Sequence, residues 1–447
     1  MKLGPVRVVM VAAAVAMWPA ALWPTALWPA VARAQGAPPL PSARFVDVAT
    51  GITVDEAVQR ALAREPSLRE ARSGVDVARG MRRQAGLRPN PEVMFERRDA
   101  PTGMDAQTMA SIEWPLELGR RPGRMAVAER QIGVAELSVV DRERHLTADV
   151  RSRYGAVLMG ARLLDVVTEM AEVTRRQRDL AAARVDAGAA PLVERDTLDV
   201  ELGRLDADVH LQTGRVHTSL AALRRLIAAP ADEPLLLRDT LEEARRRVPV
   251  SGDGAAPDGG TRPDVREAEA RVAVADARVE QIRREARPEL RVFGGYMRMD
   301  SGFSQLGQTA TGALEPVSGV FHYATGGIKV TLPFNRNQGD AQAARAERAG
   351  AVAAVEAVRL DVEAERQAAK ASLDAARRAV RTLEGTRATA RRLLDVVGQS
   401  YELGRGTLAD VLIERRRYVE VERGYVEALG ADYDAAVMVN LAMGGVR

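Results

Sequence analysis

The chain carries one plan twice, and that duplication constrains its fold more than any other feature. Pro115 lies 14 residues before Glu129, and Pro333 lies 14 before Glu347. Upstream, Pro66-Ser-Leu-Arg-Glu-Ala71 echoes Pro263-Asp-Val-Arg-Glu-Ala268, and each is followed 25 residues on by a Pro-Glu pair, Pro91-Glu92 and Pro288-Glu289. Shared residues at equal spacings identify an internal repeat. At its centre a strand feeds a helix. Ile328, Val330 and Leu332 alternate with Lys329 and Thr331, a period-2 strand pattern. Pro333 ends the ladder, Asn335, Asn337 and Gly339 supply turn chemistry, and an Ala-, Arg- and Glu-rich stretch begins at Asp340.

In chain order, Thr53 and Glu56 form a capping box that opens helical patterning to about Leu87, stopped by Arg88-Pro-Asn-Pro91. Residues 92–99 and 106–115 are expected as strands around a Pro101/Gly103 turn. In the second strand Ala110, Ile112 and Trp114 share one face and Ser111 and Glu113 the other, an alternation that suits a transmembrane β-strand with an interfacial Trp or an ordinary half-buried hairpin. Pro122–Ala187 is expected as a first long helix. There Val150, Tyr154, Val157, Ala161 and Leu164 step by 4, 3, 4, 3, a heptad seam. Gly188-Ala-Ala-Pro191 turns the chain, and a return helix runs to Ala228. Residues 229–262 form a linker, with a short strand at Leu235–Leu237 and a flexible run at 251–260. The second copy gives a helix at 263–286, strands at 289–299 and 321–332 with a long Gly/Ser/Thr-rich connection at 300–320, a helix at 340–403, a turn at Gly404-Arg-Gly-Thr407, and a last helix to Ala442. At about 1.5 Å per residue each long helix extends about 100 Å.

Only 4% of the 447 residues are aromatic, and beyond the leader Trp114 is the sole tryptophan. Such a composition argues for Ala/Leu/Val-packed helices over one large core. The net charge of +3 equals Lys2, Arg7 and Arg33, so the rest is formally neutral and offers no basic excess for nucleic acid. Residues 1–34 have a charged start, an apolar run and a small-x-small site at Ala32-Arg33-Ala34, the features of a signal peptide cleaved near Ala34. The absence of cysteine excludes an N-terminal lipid-modified cysteine. The domain plan is therefore 1–34 signal, 35–228 first repeat, 229–262 linker and 263–447 second repeat. Four strands per chain cannot close a barrel alone, and open edges cannot face lipid. Three copies would supply twelve.

This pattern resembles the TolC-type outer-membrane efflux duct family over about residues 50–445. Ile112-Glu-Trp-Pro-Leu-Glu-Leu-Gly-Arg-Arg121 and Leu332-Pro-Phe-Asn-Arg-Asn-Gln-Gly339 are similar to strand-to-helix phrases of its cobalt–zinc–cadmium (CzcC-like) branch. The resemblance implies a mainly α fold with membrane β. Long helical hairpins would form a trimeric α-barrel continued by a shared twelve-stranded barrel in the outer membrane. It further implies a homotrimer set in outer-membrane lipid, a periplasmic adaptor and an inner-membrane resistance-nodulation-division pump as partners, heavy-metal cargo, and neither cofactor nor enzyme activity. Drug efflux or type I protein secretion is the alternative cargo, and a periplasmic adaptor or coiled-coil structural protein the competing class.

Carried over by motif, Tyr401, Arg405, Asp410 and Glu414, with Glu194 from the first repeat, correspond to the family's periplasmic gate. Gly188, Ala189, Gly404 and Thr407 mark the helix turns that would dock the adaptor. An acidic ring at a constriction favours cations, whereas a bland reading makes Asp410 and Glu414 solvated helix-face residues. Lys329, Glu113 and Arg291 are expected in the barrel lumen or as strand-edge charges. His145, His210, His217 and His322 lack metal-ligand spacing, although His210 and His217 lie one heptad apart. No nucleophile–base pair or phosphate-binding Gly loop stands out.

Overall fold

The computed structural model describes residues 41–101, 105–248, 262–332, 334 and 337–445. The leader with its Ala34 site, Gly103 of the first hairpin turn, the 251–260 run, and Pro333 and Asn335 lie outside the described residues.

Two helices, α1 (Val54–Arg64) and α2 (Pro66–Ala85), precede the hairpin β1 (Glu92–Asp99) and β2 (Asp105–Leu116). The long helix α3 (Arg120–Asp186) and its return α4 (Leu192–Leu226) follow, then a short α5 (Leu241–Arg247). The second copy contributes α6 (Pro263–Glu285), β3 (Glu289–Gln308), β4 (Leu314–Thr331), α7 (Gln338–Glu402) and α8 (Leu408–Ala442). Among the described residues no helix is long and apolar enough to cross a membrane.

The expected single helix of 53–87 is two. Pro66 has no N–H and pushes Glu65 to an extended conformation, φ −61° and ψ 124°. Glu65 then closes α1 through its own N–H to the Ala61 carbonyl and opens α2 by accepting the Leu68 N–H at 3.0 Å. The linker also holds more structure than expected. A capping box of Thr240 and Glu243 starts α5, and the expected 235–237 strand is reduced to parallel bridges from Leu237 to Val46 and Ile52.

The core sits at mid-height on α3. Val150, Tyr154, Val157, Ala161 and Leu164 are all buried, packed among α1, the ends of α4 and α8, and residues 235–248. Gly155 lets the Tyr433 ring lie directly on α3, for an added Cβ would fall well inside van der Waals contact of that ring. Two buried polar side chains of this core are hydrogen-bonded to the backbone and to carboxylates. Tyr154 donates to the Ile52 carbonyl at 2.9 Å and the buried Asp239 carboxylate at 2.8 Å, and burial pushes its hydroxyl far above the ordinary tyrosine value. Buried Arg144 binds Asp141 at 2.7 Å and the Leu441 carbonyl at 2.6 Å.

All four strands form one antiparallel sheet in the order β1-β2-β3-β4. The expected 300–320 connection is largely strand. Pairing continues past Ser301, through a register shift before Gln305, to Gln308 opposite Leu314. A tight turn closes it, with Gly312 at φ +84°. A ladder propagates through backbone hydrogen bonds whatever the side chains, which is why a Gly/Ser/Thr-rich stretch hid it. Exposure alternates along β2: Ala110, Ile112 and Trp114 are exposed, while Met109, Ser111 and Glu113 are half-buried. Arg291 lies on that sheltered face, opposite Lys329 and 3.1 Å from Glu113.

Strand and helix ends are tied across the repeats. Gly119, at φ +80°, opens α3, and Arg120 binds the Arg287 carbonyl at 2.8 Å and Glu289 at 3.1 Å. At the other junction Asn337 opens α7 and donates to the Ile282 carbonyl at 3.3 Å.

Candidate functional site

Both hairpins turn with the same cap. Gly188 follows α3 at φ +69° and Gly404 follows α7 at φ +70°, a left-handed conformation that glycine adopts without a Cβ penalty. The Gly188 N–H bonds the Val185 carbonyl and the Ala189 N–H that of Arg184. One repeat on, the Gly404 N–H bonds Tyr401 and the Arg405 N–H bonds Ser400. These bonds satisfy carbonyls that the helix end leaves open.

The next helices start differently, and that difference builds the site. Thr407 caps α8 in a full capping box: its hydroxyl accepts the Asp410 N–H at 3.2 Å, and the Asp410 carboxylate folds back on the Thr407 N–H at 3.2 Å and hydroxyl at 2.7 Å. Those bonds from Thr407 hold the Asp410 carboxyl below its ordinary value. Helix α4 has Pro191 at the cap position and no side-chain cap. Glu194 occupies the same third position as Asp410, and with no hydroxyl to fold back on it reaches outward instead. Its carboxylate accepts from the Tyr401 hydroxyl at 3.2 Å.

Tyr401 thereby bridges the two hairpins. Its ring packs on buried Ala181, Leu198, Leu408 and Leu412, one or more from each neighbouring tip helix. Burial, followed by the negative charge of Glu194, raises its hydroxyl above the ordinary value, and the Arg184 guanidinium beside it opposes that rise. Arg184 was not singled out from the sequence. Its signal is position: it stands four residues before Gly188, in the last turn of α3, where a cation favours the helix end. Arg405 is exposed and, among the described residues, has no side-chain partner. The structure thus brings Glu194 and Tyr401 together within one chain and leaves Arg405 apart from them. Glu414 is ion-paired to Arg417 at 2.8 Å on its own helix.

Behind the tips a cleft of about 460 Å³ separates α3, α7 and α8, floored by Arg415 and Tyr418. Buried Arg415 donates to Thr174 at 3.0 Å and to Gln177, and burial pulls its guanidinium below the ordinary value. Buried Glu201 on α4 takes Arg416 of α8 at 2.6 Å. The hairpins are therefore joined by polar links and by packing, both at the tip and above it.

The histidines are dispersed. His217 meets the edge of Phe45 at 5.0 Å between ring centroids, and His322 stacks on Tyr296. Among the described residues no group of three or more His, Asp or Glu is placed to hold a metal ion.

The sequence profile of outer membrane efflux proteins matches residues 57–229 and 260–445. The chain belongs to the outer membrane efflux protein family. It is similar to the cobalt-zinc-cadmium resistance protein CzcC of Cupriavidus metallidurans, 24% identical over 401 residues that cover 89% of this chain and 91% of that one. The fold matches that of CusC, whose crystal structures concern folding and transmembrane channel formation, with a TM-score of 0.72, 16% identity, and coverage of 91% and 96% of the two chains. It also matches the outer membrane protein VceC of Vibrio cholerae, with a TM-score of 0.67, 17% identity, and coverage of 88% and 96%. The open-state outer membrane channel MtrE of Neisseria gonorrhoeae gives a TM-score of 0.69 and 19% identity, over 88% and 89%. The fold class expected from the sequence, long helical hairpins joined to membrane β-strands, is the fold of this family.

Proposed function

We propose that this chain is the exit duct of a tripartite efflux system. Three copies share a twelve-stranded outer-membrane barrel and a periplasmic helical tunnel, fed by a periplasmic adaptor and an inner-membrane resistance-nodulation-division pump. The observation that carries this reading is the sheet: β1 and β4 each have a partner on one side only, and the half of the open face nearer the helices is apolar. Exposed edges in lipid leave backbone groups unsatisfied, so other copies must complete them. Similarity to a cobalt-zinc-cadmium resistance protein supports heavy-metal cations as cargo. The mature chain begins near Gln35 and carries no lipid.

In this reading the tips are the gate. The Tyr401–Glu194 bond holds each pair of hairpins together, Arg405 reaches a neighbouring copy, and Asp410 and Glu414 face the constriction. The turns at Gly188, Ala189, Gly404 and Thr407 receive the adaptor. A net hydrogen bond contributes about 1 kcal/mol, so a few such links form a closure that a docking partner can open. Single-channel recording in planar bilayers tests this: Tyr401→Phe with Arg405→Ser should raise conductance while the trimer persists. Unchanged conductance would remove these residues from the gate. Loss of metal tolerance, with drug tolerance intact, in a strain lacking the chain tests the cargo; the reverse pattern would assign drug efflux.

A further inference from the structure

The open face of the sheet changes character at one register row. From the helix end outward it carries Val93, Phe95, Ile112, Trp114, Val292 and Ile328, all exposed. The last row of this apolar band pairs Phe95 with Ala110, Ala110 with Tyr296 and Tyr296 with Ala324. Two residues further out, Arg97 pairs with Thr108, Thr108 with Arg298 and Arg298 with His322. Two arginines and a histidine therefore cross the sheet at a single level, on the same face as the apolar band.

The height of that level is informative. Eight residues from Leu290 to Arg298 span about 26 Å of strand, or about 20 Å vertically at a tilt near 40°. Outer-membrane barrels carry an apolar band about 25 Å tall, so the basic row falls within about 5 Å of its outer rim, in reach of long arginine side chains. The β1–β2 hairpin ends just beyond, at Asp99 and Asp105. Tyr296 stacks beneath His322 with ring centroids 5.9 Å apart, an aromatic at the band edge.

We propose that this row docks the phosphate groups of anionic phosphorylated glycolipids in the outer leaflet, their acyl chains lying on the apolar band beneath. The inference rests on reading the sheet as an outer-membrane barrel wall with its helices on the inner side. Both arginines have acidic neighbours one row further out, Asp99 at 2.9 Å from Arg97 and Asp300 at 3.7 Å from Arg298, and all four side chains are more than half exposed. Arg97 holds Asp99 in a two-pronged bond and Arg298 meets Asp300 more loosely, but exposed pairs are worth only about 0–1 kcal/mol, and a phosphate offers a guanidinium the same two-pronged bond. The arginines can therefore exchange these carboxylates for lipid phosphate. Arg98, the next residue along, is exposed as well but belongs to the opposite face of the sheet, across from Gln107, and serves as an internal control.

The test uses the mature protein in detergent, stripped of lipid and incubated with equal amounts of bisphosphorylated lipid A and its dephosphorylated form. Native mass spectrometry counts what each assembly retains. The wild type should prefer the bisphosphorylated form about tenfold, equivalent to about 1.4 kcal/mol. Arg97→Gln/Arg298→Gln/His322→Gln should bring the ratio close to one with the copy number unchanged, and Arg98→Gln should leave it intact. Arg298→Gln alone, which disturbs the sheet less, should lower it partway. An indifferent wild type, a triple variant that keeps its preference, or an Arg98→Gln that loses it equally would overturn the proposal, as would full displacement by free inorganic phosphate. A chain that forms conducting channels yet shows no lipid preference sinks this inference alone, whereas a chain that never inserts into bilayers sinks the duct reading.

Discussion

Helices α3 and α7 occupy the same place in the two repeats, end in the same glycine cap and are 67 and 65 residues long. Their packing is opposite. Twenty-three residues of α3 are buried within its own chain and only six of α7, which leaves Val352, Leu360, Leu393 and Val396 exposed. The duplication copied a backbone plan, and the two copies then took different partners. Helix α3 anchors the fold of one chain. Helix α7 leaves these apolar positions uncovered by its own chain.

Glycine substitutions break this comparison with the largest expected effect. Gly155→Ala drives a methyl into the Tyr433 ring, and overpacking a filled core costs about 1–3 kcal/mol. Gly350→Ala on α7 meets nothing within 4 Å inside the chain, and removing a helical glycine should stabilise by about 0.5–1 kcal/mol. Denaturant unfolding of both variants should shift in opposite directions. A bulkier Gly350→Leu that unfolds the chain as readily as Gly155→Ala would erase the distinction, whereas one that only weakens assembly would sharpen it.

A smaller effect separates the two return helices. Thr407→Ala removes a cap from α8 and should cost about 1 kcal/mol. Pro191→Ala at the uncapped start of α4 removes no side-chain bond. Amide exchange should therefore accelerate in the first turn of α8 in the first variant, with no matching change in α4 in the second. Equal changes at both tips would mean that the capping difference does not control local stability.

The smallest effect is one of pH. Asp410 has a depressed carboxyl because it serves the Thr407 cap. A depressed value in the folded state means that the contribution is complete above the ordinary carboxylate range and is lost as pH falls through the lowered value. Exchange in the first turn of α8 should quicken below about pH 4, the ordinary range for an aspartate, and Asp410→Asn should flatten that dependence. A pH profile unchanged by Asp410→Asn would assign the transition to another group.

The long helices, the first hairpin and the buried 150–164 seam were legible because period and breakers are local signals. Residues whose state depends on a second segment were not. Glu65 serves two helices at once, which no single-helix pattern announces. Strands β3 and β4 continue through residues whose composition suggests a loop, because pairing is decided by the partner backbone. At the tip, Tyr401 and Glu194 stood out by motif, but Arg184 acquires its place only when the two hairpins meet. Asp410 was read from motif as a gate residue, and its role in the cap was missed although the Thr407–Asp410 spacing carries the same signal as Thr53 and Glu56.

The central claim is that neighbouring copies complete what one chain leaves open, and the sheet edges test it most directly. The chain has no cysteine, so Val93→Cys on β1 can be combined in turn with Ala324→Cys, Gly326→Cys or Ile328→Cys on β4. Three inter-strand gaps of about 4.8 Å keep these edges about 14 Å apart along the sheet of one chain, too far for a disulfide, which needs Cα atoms within about 7 Å. Oxidation of the protein in outer-membrane fractions should convert at least one pair to a covalent trimer on non-reducing gels. Monomer alone, in every register and with the protein folded, would contradict the account.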